Sequence, residues 1–189
     1  MVNFKNTLTG ILGTSLLAVS SGCTTNKVSL GYGYGYSPDS RIQTIDGGKS
    51  DTVQIEYAGN MKDDIGFEIG FQLGEARRAT TPQAEIVRKR LFFGGRYTLQ
   101  SKSIEPYISA GLAVVEVQAR RPDSMPHIVD EGNALGPYAK LGIDFNSGSD
   151  LFLGLEVNYT LVPDVNSFGG RDNVNLSETQ YLLKLGFSF

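Results

Sequence analysis

The segment Leu151–Leu161, LFLGLEVNYTL, carries a large apolar residue at every second position, with Phe152, Gly154, Glu156, Asn158 and Thr160 between them. A helix would scatter these residues around its axis, whereas a strand sends successive side chains to opposite faces. The same alternation recurs in Val28–Tyr36, Thr52–Ala58, Ile65–Gly74, Lys89–Leu99, Glu105–Val117, Leu135–Phe145 and Thr179–Phe189. Most of these segments have the roughly 9–11 residues that a tilted strand needs to cross a hydrocarbon layer. No window beyond Lys27 shows a helical period.

The connections sort by length. Those after the second, fourth and sixth segments are short (GNMKDD, QSKSI, NSGSD). Those after the first, third, fifth and seventh are long: Ser37–Asp51, Glu75–Arg88, Gln118–Ala134 and Val162–Glu178. Alternating short turns and long polar loops fit an up-and-down antiparallel barrel with two unlike ends. An aqueous sandwich has no reason to sort its loops in this way.

Strand parity separates an apolar face from one of Gly, Ser and charge. Leu30, Tyr32, Ile55, Phe71, Phe93, Leu112, Leu141, Leu155 and Leu185 exemplify the first. On the second, Glu56, Glu68, Glu105, Asp144 and Glu156 oppose Arg90, Arg96, Lys140 and Lys184. An enclosed charge is very costly unless paired, so a near-balanced set suits a closed lumen. Glycines on that face (Gly31, Gly33, Gly35, Gly66, Gly70, Gly94, Gly111, Gly142, Gly154) leave room for long side chains and for Tyr107 and Tyr138. The expected fold is all-β: an eight-stranded antiparallel up-and-down transmembrane β-barrel over residues 28–189, its apolar face toward lipid and its lumen plugged. A soluble lipocalin-like barrel is the alternative. Val114–Val117 breaks alternation and suggests a bulge.

Residues 1–22 read as a signal peptide: Lys5 in a positive start, then the apolar run Leu8–Val19, too short to span a bilayer. The small residues before Cys23 resemble a bacterial lipobox, which implies lipidation of Cys23, followed by a linker over residues 23–27. Ser20 departs from that pattern, and ordinary cleavage after Ala18-Val19-Ser20 is the alternative. Thr24, where the inner-membrane retention signal has Asp, implies transport to the outer membrane. Cys23 is the only cysteine, so no internal disulfide can form. Removing residues 1–22 leaves 16 basic and 20 acidic residues, a net charge of −4 against −3 for the whole chain, and no nucleic-acid partner is expected.

The chain closes on Tyr181-Leu182-Leu183-Lys184-Leu185-Gly186-Phe187-Ser188-Phe189. Tyr181, Phe187 and the terminal Phe189 resemble the strand signal read by the outer-membrane assembly machinery. With PYISAGLA (106–113) and GPYAKLGIDF (136–145), the chain resembles the OmpA-like and opacity-type small outer-membrane barrels of Gram-negative bacteria. That resemblance rests on pattern across residues 28–189, and implies an outer-membrane protein with both termini periplasmic.

Catalytic chemistry has little to stand on. The only histidine, His127, sits in a loop, and Val129 occupies the place of the serine in the His-x-Ser pattern of lipid A deacylases. His127, Asp123 and Ser124 form the nearest thing to an acyltransferase set. A lipid A-modifying enzyme and a narrow porin-like channel are therefore the alternatives to a non-enzymatic barrel. No metal site or cofactor is expected, beyond weak calcium contact at Asp46, Asp130, Glu131, Asp164 and Asp172.

A basic rim is the clearer signal. Arg77, Arg78, Arg88, Lys89, Arg120 and Arg121 fall at strand-to-loop junctions on the long-loop side, with Arg41 and Arg171 in the loops. Arginine's fork pairs well with phosphate, so these residues are expected to contact lipopolysaccharide. The expected role is structural or interactive, through four surface loops that bind a host or phage ligand, with a monomer in the membrane.

Overall fold

The computed structural model describes residues 25–38, 49–62, 64–77, 85–99, 101, 103–120, 128–146, 150–162 and 175–189. Among them, eight strands follow one another: β1 (Thr25–Tyr36), β2 (Lys49–Lys62), β3 (Ile65–Arg77), β4 (Glu85–Thr98), β5 (Ile104–Arg120), β6 (Ile128–Asn146), β7 (Leu151–Thr160) and β8 (Glu178–Ser188). Each pairs antiparallel with its neighbours in sequence, and β1 pairs with β8 to close the barrel. Reciprocal backbone hydrogen bonds of 2.9 Å between Asn26 and Phe189 seal that seam.

The register fixes the shape. Tracing cross-strand partners from Asn26 leads through Gly59, Phe67, Gly95, Ala110, Ala139, Tyr159 and Thr179, and returns to β1 at Tyr36, ten residues further on. With a rise of about 3.3 Å per residue and strands about 4.8 Å apart, that stagger tilts the strands by roughly 40°.

Alternation in burial follows. In β7, Leu151, Leu153, Leu155, Val157 and Tyr159 are exposed, and the residues between them are buried. The outward belt continues around the molecule with Leu30, Ile55, Phe93, Ile108, Leu141 and Leu185. Unpaired edges and exposed apolar belts of this extent do not persist in water, whereas lipid requires the closure and accepts the belt. The chain is a membrane barrel.

Three expectations are corrected. First, β1 begins at Thr25, so Lys27 belongs to the barrel and not to a linker. Second, pairing runs unbroken from Leu91↔Val114 to Arg88↔Val117, so no bulge interrupts Val114–Val117. The alternation there breaks because the inward residues Val115 and Val117 are themselves apolar. Register shifts fall instead at Asn60/Lys62 and Ala119/Arg120. Third, the inner face is not solely Gly, Ser and charge. Ile86, Phe92, Ala113, Val115, Val117, Val162 and Leu176 cluster toward the long-loop end, and Phe152 and Leu182 are also buried.

Candidate functional site

The lumen is built around Glu56, which β2 turns inward. Its Oε1 accepts from Arg96 Nη1 at 3.1 Å and Lys184 Nζ at 3.0 Å; its Oε2 accepts from Lys140 Nζ at 2.6 Å and Gln54 Nε2 at 2.9 Å. Glu156 takes a second bond from Lys184 at 3.1 Å and the Tyr107 hydroxyl at 2.7 Å. Glu68 receives the Tyr138 hydroxyl at 2.8 Å and lies 3.2 Å from Lys140. Asp144 binds Arg96 Nη2 and Lys27 Nζ, each at 2.9 Å, and Lys27 also reaches Glu105.

A second layer lies toward the long-loop end. Glu178 accepts from Arg90 at 3.0 Å and Ser50 at 2.6 Å, with Arg88 at 3.5 Å. Arg90 also donates to Gln72 and Gln180, each at 2.7 Å. Gln72 donates to Gln54, which joins the two layers. One hydrogen-bonded chain thus runs the height of the lumen, from Lys27 to Ser50.

Among the described residues the lumen holds six bases (Lys27, Arg88, Arg90, Arg96, Lys140, Lys184) and six acids (Glu56, Glu68, Glu105, Asp144, Glu156, Glu178), each with a partner. Balance is what a low-dielectric enclosure requires, because an unpaired ion there costs several kcal/mol or more. Aromatic rings pack against these charges: the Arg96 guanidinium stacks 3.5 Å above the Tyr107 ring, and Lys140 Nζ sits 3.6 Å over Phe92.

Glycine makes this packing feasible. A methyl group at Gly142 would collide with the Tyr107 ring, at Gly70 with Phe92, and at Gly186 with Phe152. Each large ring lies across a cross-strand position that lacks a side chain.

The structure brings together all nine lumen residues read from sequence. Lys27, Arg88 and Glu178 were missed because each sits within three residues of a strand end, where polar composition hides strand character. Gln54, Gln72 and Gln180 had only inward parity to mark them.

The rim divides. Arg88 does not face lipopolysaccharide: it is 4% exposed and bonded to Glu178 inside the lumen, because it shares parity with Arg90. Lys89 lies on the outer face, 2.7 Å from Glu116. Arg77 and Arg120 both pair in register with Glu85, on either side of β4 at the long-loop end. Arg78 and Arg121 lie outside the described residues, as do Cys23, His127, Asp123, Ser124, Arg41 and Arg171. Tyr181, Phe187 and Phe189 are exposed on the lipid face of the closing strand.

No protein-family model matches this chain, and no curated protein does. Solved structures do. Neisserial surface protein A superposes with a TM-score of 0.64 at 13% identity, covering 87% of this chain and 96% of that one. Ail, the attachment invasion locus protein of Yersinia pestis, gives 0.58 at 12%, covering 87% and 98%. The N-terminal β-barrel domain of Pseudomonas aeruginosa OprF gives 0.55 at 15%, covering 89% and 99%. At these identities the likeness is one of fold.

Proposed function

We propose that this protein is a non-enzymatic resident of a bacterial outer membrane, in which a plugged barrel anchors and presents a long-loop face. The observation that carries this reading is the lumen, where charges of both signs neutralise one another and aromatic rings pack against them. Such an interior leaves none of its described charges without an opposite partner, which favours a closed lumen over a conducting one. Function then moves to the surface. β1 starts at Thr25 and the chain ends at Phe189 on the short-turn end, the periplasmic side in this reading, where a lipidated Cys23 would add a second anchor to the inner leaflet.

The long-loop end would meet lipopolysaccharide through Arg77, Arg78, Arg120 and Arg121, with Lys89 beside them. Host or phage ligands would engage the loops above. The test is binding of purified barrel to lipopolysaccharide in detergent micelles. Replacing Arg77, Arg78, Arg120 and Arg121 by Gln is expected to weaken it and to flatten its salt dependence. Unchanged binding would remove lipopolysaccharide contact from the account. A change in the lipid A mass spectrum between cells with and without the protein would overturn its non-enzymatic part.

A further inference from the structure

The charges of the lumen cancel as a whole but not layer by layer. Among the described residues, the layer around Glu56 sets the carboxylates Glu56, Glu68, Glu105, Asp144 and Glu156 against the bases Lys27, Arg96, Lys140 and Lys184. The second layer sets two guanidiniums, Arg88 and Arg90, against Glu178 alone. Arg90 holds Glu178 Oε2 at 3.0 Å. Glu178 Oε1 accepts from Ser50 at 2.6 Å, and Arg88 stands off it at 3.5 Å, beyond the roughly 2.7–3.2 Å of an ordinary N–H···O bond. Thr52 lies in this second layer, four residues along β2 from Glu56, or roughly 13 Å at a strand's rise. Over that distance Coulomb attraction falls to about a third of its value at 4 Å, so the surplus acid below does little for the surplus base above.

Beside Arg88 the inner wall has room. Thr52 on β2, Gly74 on β3 and Arg88 on β4 form one cross-strand row, and all three face inward. A carbon added at Gly74 would meet Thr52 Oγ1 at 3.6 Å, Arg88 Cβ at 3.7 Å and Ser50 Oγ at 3.8 Å, which are ordinary contact distances. The matching slots at Gly70 and Gly142 are filled by the Phe92 and Tyr107 rings, and that at Gly31 is bordered by aliphatic carbons of Gln54, Lys184 and Leu182. Gly74 is different because hydroxyls and a guanidinium side chain border it. The Thr52 hydroxyl is wholly buried without a hydrogen-bond partner, and so is Nε of Arg90, the next inward residue of β4 after Arg88. Both groups can donate, and buried donors rarely go without an acceptor.

We infer that the Gly74 slot binds one monovalent anion of halide size, which completes the second layer. Its single charge equals the surplus of guanidinium over carboxylate there, and an enclosed surplus charge is costly until it is met. Phosphate or sulfate would reverse the imbalance and is too large for a space of about methyl size. Thr52 supplies a hydroxyl donor, and Arg88 and Arg90 supply the positive charge. The site lies inside the barrel, goes beyond the surface role proposed above, and does not depend on lipopolysaccharide contact.

The test unfolds the purified barrel with urea in phosphatidylcholine vesicles, in sodium chloride or in sodium gluconate at matched ionic strength. Above the dissociation constant, the folding equilibrium constant is expected to grow about tenfold for each tenfold rise in chloride. Gluconate, too large for the slot, should give no such gain. Gly74→Ala fills the slot at ordinary contact distances, so it should fold and lose the chloride dependence. Thr52→Val removes the donor and should need more chloride for the same gain. Equal stability of the wild type in the two salts overturns the site, and so does a chloride dependence that survives in Gly74→Ala. Should Gly74→Ala fail to fold, chlorine NMR of the unaltered protein in micelles of an uncharged detergent decides. Line broadening that bromide reverses is expected, and a line that the protein leaves unbroadened contradicts the proposal.

Discussion

Glu56 on β2 and Lys184 on β8 meet across the lumen at 3.0 Å, and 128 residues of chain separate them. Most lumen pairs share this property. Lys140 to Glu56, Arg96 to Asp144, Arg90 to Glu178 and Lys27 to Glu105 each tie a strand of the first four to one of the last four. These pairs form only when the barrel closes, so closure and charge pairing are one event. A pair of this kind need not add net stability over an apolar filling, yet removing one partner strands the other.

Glu56→Gln therefore leaves Lys140, Lys184 and Arg96 without their common counter-charge and sets an amide donor where Glu56 Oε1 or Oε2 accepted. The expected loss is about 3–5 kcal/mol of unfolding free energy, measured by denaturant titration in lipid. Adding Lys140→Met to Glu56→Gln should recover part of the loss, since a double-mutant cycle isolates the coupling between residues in contact. Equal stability of wild type and Glu56→Gln would mean that water, and not the network, solvates these groups.

Glycine substitutions separate space from flexibility. Gly142→Ala drives a methyl group into the Tyr107 ring and should cost about 1–3 kcal/mol as an overpacking defect. Gly31→Ala meets Gln54 Cβ at 3.4 Å and Lys184 Cγ at 3.5 Å, ordinary contact, and should fold normally. Similar behaviour of the two variants in a heat-shift gel assay would contradict the packing described.

Arg88 and the rim arginines should part company. Arg88→Gln removes a buried partner of Glu178 and lowers stability, with lipopolysaccharide binding unchanged in the folded fraction. Neutralising Arg77 and Arg78 should do the reverse. Measuring both quantities on both variants distinguishes the two roles.

Position along the membrane normal is also testable. Leu183→Arg, midway along β8, is expected to cost about 2–4 kcal/mol, and Leu151→Arg, at the terminus end of β7, roughly 1 kcal/mol or less. The folded fraction in lipid vesicles against denaturant gives both values. Equal costs at the two positions would place the hydrocarbon band elsewhere.

Strand identity and facing were readable where one face is unbroken. β7 is the clearest case, since Leu151 through Thr160 alternate without exception. Runs such as Leu91-Phe92-Phe93 and Tyr181-Leu182-Leu183 are ambiguous, because a small lumen also accepts apolar fillers. The ends were harder. β6 starts seven residues before Leu135, through Ile-Val-Asp-Glu-Gly-Asn-Ala, where strands rising past the hydrocarbon layer no longer need an apolar face. Arg88 and Glu178 lie in such extensions, which is why one read as rim and the other as loop. Balance of charge in the lumen was visible from parity alone. Which acid meets which base was not, as it depends on the ten-residue stagger that only the closed barrel displays.

The most direct test of a charge-paired, occluded membrane barrel is single-channel recording of the purified protein in planar lipid bilayers. The account expects no reproducible conductance steps from correctly folded wild-type barrels. Discrete, recurring steps from the wild type would contradict it, since ions would then be crossing a lumen in which every described charge is already held by a partner.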